Sequence, residues 1–89
     1  MKIFTVDVNR DETTINKLLV EEGKYRLFRR IDGDFNKQAE NLILLALKER
    51  PSKIVIDENG VGKGLVDSLT KAMDNCGLQL KSDGTVIYK

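Results

Sequence analysis

The stretch "SKIVIDENGVGKGLVDSL" (52–69) constrains the fold of this chain more than any other. Its apolar, β-branched start reads as a short strand, and its end reads as a helix. Only a loop holding Gly60, Gly62 and Gly64 lies between them. Glycines there let the backbone turn sharply and bring the helix close to the sheet. A strand passing straight into a helix is the building unit of α/β domains, which place ligands beyond the carboxyl ends of their strands.

The loop matches neither of the familiar phosphate-binding glycine patterns. A P-loop has the form GxxxxGK[ST], in which a hydroxyl after the lysine holds magnesium. Here Asp57 stands at the first glycine position and Gly64 follows Lys63. The dinucleotide pattern GxGxxG fits Gly60 and Gly62 but meets Leu65 at its third glycine. No nucleotide cofactor is therefore expected. What remains is a carboxylate, Asp57, at a strand end.

The rest of the chain supplies further elements without a repeat or a linker. "KIFTVDV" (2–8) alternates apolar and β-branched residues as a strand does, ending near Asp7. Residues 13–31 admit two readings. In one, "TINKLLV" and "YRLFRRI" form a hairpin joined at "EEGK", with Tyr25, Leu27 and Arg29 on one side and Arg26, Phe28 and Arg30 on the other. In the other, Asp11 or Thr13 caps a helix over Ile15, Leu18 and Leu19 that stops at Gly23. "DFNKQAENLILLALKER" (34–50) is an amphipathic helix, with Asp34 as N-cap, Phe35, Ala39, Leu42, Ile43, Ala46 and Leu47 on one stripe, and Pro51 beyond its end. A second helix over 64–77 is closed by Gly77, and a strand or small hairpin about Asp83-Gly84 ends the chain.

Composition limits the chemistry open to such a chain. Its 89 residues allow one domain, 1–89, and 15 basic against 14 acidic residues give no global positive field for nucleic acid. Histidine is absent, which removes the commonest zinc ligand and general base. The single cysteine, Cys76, has no internal partner for a disulfide. The amino-terminal stretch lacks the apolar core of a signal peptide and no run reaches membrane-spanning length, so a cytoplasmic protein without a membrane partner is expected.

Asp7 and Asp57 both sit at strand ends, and they converge if the two strands are parallel neighbours. Paired carboxylates without histidine suit hard cations, Mg²⁺ or Mn²⁺. Two-metal phosphodiester hydrolysis uses such pairs, with ions about 3.5–4 Å apart. An aspartate at a strand end also serves simply as a helix cap or turn former.

Two segments resemble a known family, the C-terminal nuclease domain of phage terminase large subunits. "FTVDVNRDETTI" is similar to that family's first strand, where a metal-binding aspartate precedes a polar loop, a second aspartate and a threonine-containing strand. "PSKIVIDENGVGKGLVDSL" is similar to its later strand, glycine turn and helix. The resemblance implies an α/β, ribonuclease H-like mixed sheet with two main helices. In it the first three strands form an antiparallel meander and the fourth runs parallel to the first, which favours the hairpin over 13–31.

The resemblance implies further that Asp7 and Asp57 are the catalytic, metal-binding acids and that Gly60, Gly62 and Gly64 shape the turn. The function implied is metal-dependent DNA hydrolysis related to phage or prophage DNA packaging, on double-stranded DNA and beside other packaging proteins. The family carries an ATPase motor upstream and a further acid downstream; these 89 residues hold no motor and no obvious third acid. A truncated or stand-alone relative, weak or inactive alone, is the expectation. Asp83 and Asp11 are the candidate third metal ligands, although "SDG" is also an ordinary turn sequence. Lys24, Arg26, Arg29 and Arg30 are candidate phosphate contacts, and equally a charged guard against sheet-edge aggregation. Two other classes stay open: a non-catalytic protein-interaction module derived from such a domain, and a small flavodoxin-like nucleotide-binding domain if residues 13–22 are helical.

Overall fold

Alternation of side chains along each strand decides which side of the sheet is covered. In β1 (Lys2–Val8), Phe4, Val6 and Val8 are buried, while Asp7 between them is exposed. The computed structural model describes residues 1–8, 12–57 and 62–88, without the side chains of Glu12, Tyr25, Arg26 and Phe28. Residues 13–31 are the hairpin rather than a helix. β2 (Glu12–Leu19) and β3 (Lys24–Asp32) are joined by a short 3-10 turn, Val20–Glu22, and by Gly23 at φ 64°, a left-handed conformation that favours glycine.

α1 (Phe35–Glu49) follows, then β4 (Lys53–Ile56), α2 (Gly62–Asn75) and a hairpin of β5 (Gln79–Leu80) and β6 (Val86–Ile87). The result is a small α/β domain whose four-stranded mixed sheet has the order β3-β2-β1-β4. Its first three strands form an antiparallel meander, and β4 runs parallel to β1. The carboxy-terminal hairpin docks on the outer edge of β4, where the Ile54 N–H donates to the Gly84 carbonyl at 2.8 Å and the Val86 N–H donates to Ser52 at 3.0 Å.

The core lies between one face of the sheet and the two helices. Phe4, Val6, Ile15, Ile31 and Ile54 meet Ala39, Leu42, Ile43 and Ala46 of α1 and Leu65, Leu69 and Met73 of α2. A two-layer arrangement follows, because each element has one apolar face to hide. Asp34 caps α1 by accepting from the Lys37 N–H at 2.9 Å. Gly77, at φ 76°, ends the turn after α2. Leu47 departs from the expected stripe, being 44% exposed at the margin of the helix face. Gln38 takes a place that composition would assign to an apolar residue. Fully buried, it accepts a hydrogen bond from the Thr13 hydroxyl and donates to the Gly33 carbonyl at 2.8 Å, so both ends of its amide are satisfied.

Glu49 ties the far end of α1 to the sheet. Its carboxylate accepts from Lys2 Nζ and Lys17 Nζ, each at 3.1 Å. The Lys2 bond first, and the Lys17 bond second, hold the Glu49 carboxyl below the ordinary glutamate range. A depressed carboxyl contributes stability that is complete above its unfolded pKa and is lost as pH falls through the folded value. Wild type should therefore exceed Glu49→Gln by up to about 1 kcal/mol at neutral pH, the scale of partly exposed ion pairs. That advantage should shrink as pH drops below the ordinary glutamate value of about 4.3 and disappear once Glu49 protonates. Urea midpoints of the two proteins across this range measure it.

Candidate functional site

Parallel pairing of β1 with β4 brings the two strand-end acids together. The ladder runs Ile3↔Lys53, Phe4↔Ile54, Thr5↔Val55 and Val6↔Ile56, so Asp7 and Asp57 occupy the next pair of positions. Backbones of neighbouring strands lie about 4.7–4.9 Å apart, close enough for both carboxylates to share one cation or a pair of cations. Both acids are exposed, on the face opposite the helices. They line one shallow depression of about 340 Å³ with Thr5, Val6, Asn16, Val55 and Ile56. No described element covers that face.

Thr5 and Asn16 are cross-strand partners, and Thr14 pairs with Asp7. Sequence reasoning passed over all three. Thr5 was readable, being two residues before Asp7 on the same side of a strand. Asn16 and Thr14 needed the hairpin register, which two open readings of 13–31 left undetermined.

Comparison with protein families, with curated proteins and with solved structures finds no match.

Gly62 and Gly64 set how closely α2 approaches its neighbours. A Cβ on Gly62 would lie 1.6 Å from the Asp57 carbonyl oxygen, so the start of α2 presses on the backbone of the acid itself. Gly64 faces Phe35 of α1, whose ring atom Cε2 would be 2.4 Å from an added Cβ. Gly60 and Asp11 lie outside the described residues. Lys63 and Asp67 are exposed on α2.

Asp83 goes elsewhere. It lies in the β5–β6 turn, accepts from the Thr85 N–H at 2.9 Å and lines a separate groove between β4, α2 and that turn. The Thr85 hydrogen bonds, with Lys53 and Lys81 nearby, lower its carboxyl below the ordinary aspartate range. Among the described residues, no group of three or more histidine, cysteine, aspartate or glutamate side chains is poised to hold a metal ion.

The basic residues of β3 separate by face. A strict alternation would put Leu27 and Arg29 on one side, but the register with β2 shifts between Ile15 and Asn16. Leu27 pairs with Asn16 and Arg29 with Ile15, which leaves Phe28 as the extra, bulged residue. Arg29 consequently falls on the helix side by register, and the groove beside Asn41, Leu44, Leu45 and Lys48 of α1 is lined by both Arg29 and Arg30. Arg30 pairs with Thr14 on the uncovered face. Lys24, exposed, sits at the opposite end of the strand, paired with Leu19, and the Arg26 side chain is not described.

Proposed function

We propose that the chain is a ribonuclease H-like, terminase-type nuclease domain that binds Mg²⁺ or Mn²⁺ through Asp7 and Asp57 and hydrolyses phosphodiester bonds in DNA. One observation carries the reading: two aspartates occupy adjacent positions at the carboxyl ends of parallel, central and edge strands, on the face left uncovered. The donor set fits the ion. Two carboxylates with the Thr5 hydroxyl and the Asn16 amide oxygen nearby are hard oxygen donors, and hard divalent cations prefer such ligands. When bound, the metal supplies charge that activates water and stabilises the leaving oxygen. Asp7 and Asp57 hold it, and Asn16 and Thr5 are placed to orient a phosphate or a water in the depression. Strand order and the similarity of the two sequence segments support a relationship to phage DNA packaging, with double-stranded DNA as substrate and packaging proteins as partners.

The exposed apolar residues Leu27 (51%) and Val55 (46%) on the same face favour a second reading, a non-catalytic module docked on another protein. A metal titration separates the two. Mn²⁺ at millimolar levels should broaden the amide signals of residues near Asp7 and Asp57 selectively, since two protein carboxylates leave much of the coordination shell to water. Asp57→Asn should abolish that focus. Broadening spread evenly over every surface acid would defeat the metal-site reading and leave the docking module.

A further inference from the structure

We infer that Arg30 anchors a backbone phosphate of the nucleic-acid strand, and that this strand crosses the sheet from β4 toward β3. The inference rests on the hydrolytic reading of Asp7 and Asp57 and adds the path of the substrate to it. Arg30, Thr14, Asp7 and Asp57 form one row across the four strands, because Arg30 pairs with Thr14, Thr14 with Asp7, and Asp7 lies level with Asp57. A cation thus ends the row whose other end carries the acids.

The β-bulge makes this arrangement. Counting by twos from Leu27 would send Arg30 to the helix side and Ile31 outward. Phe28, inserted as the extra residue, reverses both: Ile31 is buried at 6% exposure and Arg30 is exposed on the acid face. Bulges commonly re-aim a side chain beside a functional site. Arg29, paired with Ile15 on the other face, already supplies the charge that guards this edge strand.

Distances agree with a phosphate track. Arg30 is two strand spacings from Asp7, roughly 10 Å at about 4.7–4.9 Å each. A nucleic-acid backbone carries one phosphate per nucleotide, so over this span Arg30 meets a phosphate close in sequence to the one at the acids. The guanidinium offers a planar fork that matches phosphate oxygens, and the half-buried Thr14 hydroxyl between them adds a donor. Asp7 and Asp57 repel phosphate without metal, so the anchor and the cation hold opposite ends of the same segment.

Fluorescence anisotropy of a labelled DNA duplex, titrated with the whole chain in Mg²⁺ over a range of NaCl, tests the assignment. Arg30→Gln should weaken binding and flatten the slope of log K against log salt by about one, the signature of a lost phosphate contact. Arg30→Lys should retain the slope. Arg29→Gln and Lys24→Gln should leave it as in wild type, and circular dichroism confirms that each variant is folded. Equal losses for Arg29→Gln and Arg30→Gln overturn the assignment, as does an unchanged slope in Arg30→Gln or a wild-type chain that binds no duplex at low salt. A change confined to Arg30→Gln, found together with no Mn²⁺ focus at residues 7 and 57, supports the anchor and removes the hydrolytic reading alone.

Discussion

Supercoiled plasmid incubated with Mn²⁺ and a high concentration of this protein should be converted slowly to the nicked circle, and Asp7→Asn and Asp57→Asn should each stop that conversion. Asparagine keeps the shape of aspartate but removes the charge that holds a divalent cation. Because both acids serve one depression, loss of either lowers metal occupancy and misplaces whatever metal remains. Removing a single stabilising group from a preorganised site costs about 10²–10³-fold in rate, and each variant should fall at least that far. The wild-type rate itself should be low. Two firm carboxylate ligands hold metal weakly, and a net charge of +1 steers DNA toward the site very little. Brisk turnover at catalytic protein levels would mean a third acid completes the site, with Asp11 the next to replace. Nicking that survives both asparagine variants would assign the activity to a different site.

How much of this was readable beforehand divides along a physical line. Features set by local chemistry were legible: the Asp34 cap, the Gly77 stop, the turn at Asp83-Gly84, and acids at the ends of two strands. Each depends on a few neighbouring residues. Features set by pairing between distant segments were legible less directly: the hairpin, the meander and the parallel β1–β4 pair were expected through the family resemblance, and the register was not. Whether 13–22 forms helix or strand depends on β1 and β3 lying on either side of it, and an isolated apolar run carries both periods. The bulge at Phe28 is a property of register against β2, so no count along β3 alone places Arg29 and Arg30 on opposite faces.

Gln38 shows the same limit from the core side. Its partner Thr13 is 25 residues away, and a glutamine on a helix otherwise reads as surface. The acids themselves were legible as a pair only on the condition that their strands were parallel neighbours. Pairing of Val6 with Ile56 supplies that condition.

Replacing Gly62 by alanine should destabilise the protein far more than replacing its exposed neighbour Lys63. Helix propensity by itself predicts the reverse, since alanine is preferred over glycine in a helix by roughly 0.5–1 kcal/mol. Packing outweighs that gain. The added carbon would lie 1.6 Å from the Asp57 carbonyl oxygen and 2.8 Å from its carbon, and both are backbone atoms that cannot swing aside. Relief requires α2 to move away from β4 or the end of β4 to bend. Overpacking of this kind costs about 1–3 kcal/mol and more where the backbone itself must move. At about 4–8 °C of melting temperature per kcal/mol for a domain of this size, Gly62→Ala should melt some 10–20 °C below wild type.

Gly64→Ala should fall in between, because its neighbour is the Phe35 ring, which can shift within a partly buried setting. Lys63→Ala, exposed on α2, should change stability by no more than about 0.5 kcal/mol. Melts of the three variants by circular dichroism, with and without ATP, also separate this role for the loop from a phosphate cradle. A cradle requires Lys63→Ala to abolish stabilisation by ATP without lowering the melting point in its absence. The close approach of α2 to Asp57 requires Gly62→Ala to lose the selective Mn²⁺ broadening as well, since the displaced backbone carries one of the two acids. A Gly62→Ala protein that melts with wild type and keeps that broadening would show that α2 can retreat without moving Asp57, and the glycine would then have no part in building the site.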